Sequence, residues 1–151
     1  MKKIIILFVL SAVLYTTNSC SSSDSSPVIG GTISFKVNGV QKTFNDIYVS
    51  ENLYFEGTPD EYTELYVVTL PANDPEHVRF TLYKNHLEDI VSVFYTHDGV
   101  EYTRVGTFTM HLTSNGNNKK LVGTFSGEMA QDEINPIDPI NITEGTFTIQ
   151  Y

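Results

Sequence analysis

From Gly31 onward, apolar and polar residues alternate along most of the chain, the pattern of strands that bury one face and wet the other. In "GTISFKV" the residues Ile33, Phe35 and Val37 share a phase, and in "VRFTLY" Val78, Phe80 and Leu82 oppose Arg79, Thr81 and Tyr83. In "GTFTMHLTS" Phe108, Met110 and Leu112 oppose Thr107, Thr109, His111 and Thr113. Further strand candidates are "TELYVVTL", stopped by Pro71, then "IVSVFYT", "VEYTRV", "LVGTFSGEMA" and "INITEGTFTIQY". Asn38-Gly39 and Asp98-Gly99 each sit between two such runs, and both dipeptides suit the positive φ angles of a type I′ hairpin. Helical periodicity is nearly absent. The pattern predicts about eight to ten antiparallel strands in one all-β domain over residues 30–151. A two-sheet β-sandwich is the expected fold, with a small lipocalin-like β-barrel as the alternative, because both share the same period of two.

The first residues break this pattern. Met1-Lys2-Lys3 is followed by the apolar run Ile4–Leu14 and a short polar exit to Cys20. Basic start, apolar core and polar exit are the parts of a secretory signal, here residues 1–19. The core is shorter than the roughly 20 residues that a membrane-spanning helix needs. Thr17-Asn18-Ser19-Cys20 departs from a strict Leu-Ala-Gly-Cys lipoprotein box but resembles the looser boxes of Bacteroidota lipoproteins. Cys20 is the only cysteine, so it has no partner for an internal disulfide. Its position at the expected cut, ahead of the Ser-rich tether of residues 21–29, marks it as the site of lipidation. A membrane partner bound through acyl chains on Cys20 follows.

Charge narrows the partners further. The chain carries −9, and removing Lys2 and Lys3 leaves seven basic residues against 18 acidic ones, a net −11. Such a surface repels nucleic acid and anionic headgroups.

Two short segments invite other readings. Gly-Thr followed by an apolar residue recurs at 31–33, 106–108, 123–125 and 145–147, with spacings too unequal for a solenoid. Its expected role is structural, a glycine marking a bulge or allowing close backbone approach and the apolar residue entering the core. Residues 51–57, "ENLYFEG", resemble a potyviral protease site, which has Gln where this chain has Glu56; here the segment reads as strand.

Candidate chemistry is sparse. His77, His86, His97 and His111 show no HExxH spacing, and no cysteine lies in the domain to complete a zinc site, so solvent-facing or packing roles are expected. Acidic residues gather in expected loops, among them Asp74 with Glu76 and Glu88 with Asp89. Asp132, Glu133 and Asp138 are a weak calcium candidate without an EF-hand frame. No G-x-S-x-G elbow or phosphate loop occurs, so neither an enzyme nor a cofactor is expected. Tyr48, Tyr54, Tyr66 and Tyr102 are candidates for a stacking platform, since tyrosine joins a flat apolar face to a polar tip. With no Trp in the chain, a dedicated carbohydrate-binding module is disfavoured.

The run "FKVNGVQKTF", the strands "GTFTMHL" and "LVGTFSGEM", and the closing "INITEGTFTIQY" resemble a family of small Bacteroidota lipoproteins of unknown function. That resemblance implies an exported, lipid-anchored, sandwich-like β-domain and brings no catalytic residues. The expected function is a non-enzymatic binding or structural module of the outer membrane, with a glycan, an envelope protein or a small apolar ligand as partner. The alternative is a lipocalin-like carrier of a small apolar ligand. A single acid after Cys20, Asp24, leaves the periplasmic face and the cell surface both open.

Overall fold

A computed structural model describes residues 29–85, 90–132, 134 and 136–151; the expected leader, Cys20 and the serine run lie outside them. Among the described residues eight strands form: β1 Ile29–Val37, β2 Val40–Tyr54, β3 Tyr62–Thr69, β4 Glu76–Tyr83, β5 Ile90–His97, β6 Val100–Asn115, β7 Lys120–Ala130 and β8 Ile140–Gln150. Each pairs antiparallel with its neighbour in sequence, and β1 also pairs with β8, so the sheet closes into a barrel. The expected sandwich is thus corrected to its alternative. Period-two patterning is blind to this choice, which rests on where strands bend. Register shifts interrupt β1, β6 and β7, including two along the β6–β7 ladder, and such bulges supply the coiling that closure requires. Both predicted hairpins form, with positive φ at Asn38, Gly39, Asp98 and Gly99.

The bore is filled. Phe35, Phe80, Tyr95, Phe125 and Phe147 are buried in the core. Phe35 meets Tyr95 and Phe125 with centroids 5.5 Å apart in each case, and Phe80 meets Phe147 at 5.3 Å. The Gly-Thr repeat explains how these rings fit. Gly123 pairs with Phe147 and Gly145 with Phe125 across β7 and β8. A Cβ at Gly123 would lie 2.5 Å from both the His111 carbonyl oxygen and the Phe147 ring. At Gly145 it would enter the Phe125 carbonyl oxygen, with ring carbons 2.8 Å away. Each glycine therefore leaves the space its neighbour's ring occupies, while Ile33, Phe125 and Phe147 of the same repeat are buried.

Along β6, β7 and β8 the outward phase is polar. Thr109, His111 and Thr124 are exposed, as are Ser126, Thr146 and Thr148. A membrane-spanning barrel carries the reverse arrangement, apolar outward, so this wall suits water. Antiparallel order divides the connections between two ends. One end, called proximal, holds the start of β1, the end of β8 and the turns after β2, β4 and β6. The distal end holds the Asn38-Gly39 and Asp98-Gly99 hairpins with the connections after β3 and β7.

Candidate functional site

Directly paired residues of an antiparallel ladder point to the same face. Lys42 pairs with inward Phe35, Tyr102 with inward Tyr95, and His97 with Glu76, which is in phase with buried Val78 and Phe80. Register thus delivers Lys42, Glu76, His97 and Tyr102 to the distal mouth of the barrel, where the apolar filling ends.

There, Glu76 is the hub. Lys42 Nζ lies 2.6 Å from Glu76 Oε1, and the Tyr95 hydroxyl donates to the same oxygen. His97 Nδ1 is 3.5 Å from it, and its ring lies parallel to that of Tyr95 with centroids 6.1 Å apart. The side chains of Lys42 and Glu76 are only 21% and 29% exposed. Burial works to raise the Glu76 carboxyl, but hydrogen bonds from Lys42 and Tyr95, joined by nearby positive charge, hold it below the ordinary carboxylate range. For Tyr95, burial and then the bond to Glu76 push the phenol far above the ordinary tyrosine range. The carboxylate therefore stays ionised and the phenol stays protonated near neutral pH, an arrangement that fixes donors and acceptors in place.

Beside this cluster lies a cleft of about 440 Å³ lined by Val37, Asn38, Val40, Lys42, Tyr95, His97, Tyr102 and Ile140. Val40 is 61% exposed on its rim. The cleft is a mostly aliphatic and aromatic concavity with a few fixed polar groups, the composition of small-molecule sites, and its volume lies in their usual range of roughly 300–1,000 Å³.

The tyrosine candidates do not assemble into one platform. Tyr48 and Tyr66 lie half-buried on the outer phase of β2 and β3, Tyr54 ends β2 at the proximal tip, and Tyr102 lines the distal cleft. Tyr48, Tyr54 and Tyr66 share the outer phase, Tyr48 and Tyr66 as diagonal neighbours and Tyr54 six residues further along β2, whereas Tyr102 points inward at the other end. Asp132 accepts the N–H of Ile134 at 2.8 Å, Asp138 is exposed in the same connection, and Glu133 lies outside the described residues. Among the described residues no group of three His, Cys, Asp or Glu side chains converges to hold a metal. His111 is on the outer wall, His77 Nδ1 is 2.8 Å from the Asp74 carbonyl, and His86, Glu88 and Asp89 lie outside the described residues. Lys42 is a residue that sequence reading missed, and Glu76, expected in a loop, opens β4 instead. Their signal is a charged side chain on the inward phase at a strand end, visible only once Lys42 is registered against Phe35 and Glu76 against His97.

Compared with family models, with characterised proteins and with solved structures, the chain has no match.

Proposed function

We propose that this protein is a non-enzymatic, lipid-anchored binding module of the bacterial outer membrane that seats a small, mainly apolar ligand at its distal mouth. The observation that carries the reading is the cleft itself, in which Val37, Val40, Tyr102 and Ile140 stand beside the polar groups of Lys42, Asn38 and His97. Because rings fill the bore, the ligand of this reading rests in the mouth rather than deep inside, unlike that of a hollow lipocalin-like carrier. Anchorage through Cys20 supports the same arrangement, since the tether joins β1 at the proximal end and leaves the mouth facing away from the membrane. The module then serves whichever side of the outer membrane its anchor occupies.

Titration with 1-anilinonaphthalene-8-sulfonate, an apolar fluorescent anion, tests this. Val40→Glu at the mouth is expected to weaken binding by about tenfold or more, the loss that desolvating a charge against an apolar ligand implies. Phe55→Ser at the other end is expected to leave binding unchanged. The opposite result, insensitivity to Val40→Glu and loss with Phe55→Ser, would remove the mouth as the site.

A further inference from the structure

At the proximal end, the β2–β3 hairpin continues past the mouth of the barrel. That mouth is closed by the ion pair of Lys84 with Glu51 at 2.9 Å and by the Tyr151 side chain. Beyond Glu51 the ladder runs three more pairs, Asn52 with Glu64, Leu53 with Thr63, and Tyr54 with Tyr62. The tip is apolar and bare: Leu53, Tyr54 and Phe55 are 49%, 40% and 63% exposed. It is also built rather than loose. Tyr62 stacks on Tyr54 at 5.1 Å and meets Tyr83 edge-on at 5.0 Å. Phe55 holds a positive φ of 54°, a backbone state that bulky side chains rarely adopt. Its carbonyl takes hydrogen bonds from the Thr58 N–H and hydroxyl, and Glu61 accepts the Gly57 N–H. A backbone strained to present an exposed phenyl ring calls for a partner for that ring.

The chain outside the described residues says which partner. It enters at Ile29, opposite Ile47 of β2, and the tip at Tyr54 lies seven residues further along that strand, about 23 Å at strand rise. From Cys20 to Ile29 the contour is at most about 30 Å. A lipid on Cys20 therefore holds the proximal end within reach of the bilayer, and the hairpin is long enough to touch it. We propose that the tip of Leu53, Tyr54 and Phe55 rests in the membrane interface and fixes the barrel upright on its anchor. The proposal builds on the anchored reading given above. Tyrosine and phenylalanine suit that boundary, where one side is apolar and the other wet. Exposed Glu56 and Asp60 flank the tip, so the surface it accepts is zwitterionic, and anionic headgroups push it away.

The chain contains no Trp, so a single introduced indole reports without background. Lipidated full-length protein carrying Phe55→Trp is reconstituted in phosphatidylcholine vesicles, with Ile137→Trp at the distal end as the comparison. The expected result is a blue shift and quenching by brominated acyl chains for Phe55→Trp only, both reversed when phosphatidylglycerol is added. Sedimentation with the vesicles while Phe55→Trp emission stays as in water, or matching quenching of both reporters, overturns the docking and leaves the anchor standing. Failure to sediment overturns the anchor and the docking together. A concentration-dependent blue shift without vesicles would assign the tip to a second copy of the chain and likewise overturn the proposal.

Discussion

Replacing Gly145 by alanine tests the fit of ring to glycine that organises the β7–β8 wall. The new methyl would enter the Phe125 carbonyl oxygen and crowd the Phe125 ring at 2.8 Å. Because the first obstacle is backbone, no side-chain rotation relieves it, and β7 must move away from β8. Overpacking of this kind costs about 1–3 kcal/mol, against which alanine recovers about 0.5–1 kcal/mol of strand entropy. The net loss is then about 0–2.5 kcal/mol, centred near 1 kcal/mol, and a loss of about 1 kcal/mol at a urea slope of about 1–3 kcal/mol per molar lowers the midpoint by about 0.3–1 M. Gly30→Ala serves as the internal reference, since a Cβ there meets nothing within 4 Å, and it should be neutral or stabilising by up to about 1 kcal/mol. Equilibrium urea unfolding of the two variants beside wild type measures both. Equal midpoints for Gly145→Ala and Gly30→Ala would refute the reasoning, because the glycines would then be no more than strand residues without side chains.

Alkaline titration followed by tyrosinate absorbance should show Tyr95 and Tyr151 silent through the ordinary tyrosine range, since burial and their carboxylate neighbours raise both phenols; their ionisation should coincide with unfolding. The protonated phenols stabilise the fold fully below the unfolded tyrosine range, and that contribution fades only as pH climbs through their raised folded values. Glu76 works the other way. Its lowered folded value means its contribution is complete above the ordinary carboxylate range and is lost as pH falls through the folded value. Glu76→Gln should cost about 1–2 kcal/mol at neutral pH, as expected for charge-assisted hydrogen bonds at a partly exposed site. The difference from wild type should shrink in acid, as thermal melts at neutral and low pH will record. Cys20→Ala should move the protein from the membrane to the soluble fraction of fractionated cells; if both forms sediment alike, acylation is not the anchor.

Strand content and both hairpins were legible because they are local: Ile33, Phe35 and Val37 alternate, and Asn38-Gly39 tolerates positive φ in any context. Closure was not, because it depends on bulges such as that between Phe125 and Gly127, and the glycines of "GTFSGEM" fit a bulge or a close backbone approach equally. The Gly-Thr repeat was legible as structural, whereas its reason, a ring on the next strand, needs the pairing of Gly145 with Phe125. The candidate site was least legible. Asp74 and Glu76 read alike as loop acids, yet Asp74 precedes the strand while Glu76 opens β4 on its inward phase and meets Lys42 of β2, two strands away. The four tyrosines divide between the two ends and faces for the complementary reason. Composition gives their chemistry, but only register says that Tyr54 and Tyr102 belong to opposite ends.

Amide chemical-shift mapping during titration with 1-anilinonaphthalene-8-sulfonate tests the central claim most directly. Shifts concentrated at Val37, Asn38, Val40, His97, Tyr102 and Ile140, with Tyr54 and Phe55 unmoved, are what a distal binding mouth predicts. Shifts confined to the Tyr54–Tyr62 tip, or spread through Phe35, Phe80 and Phe147 in the bore, would contradict it.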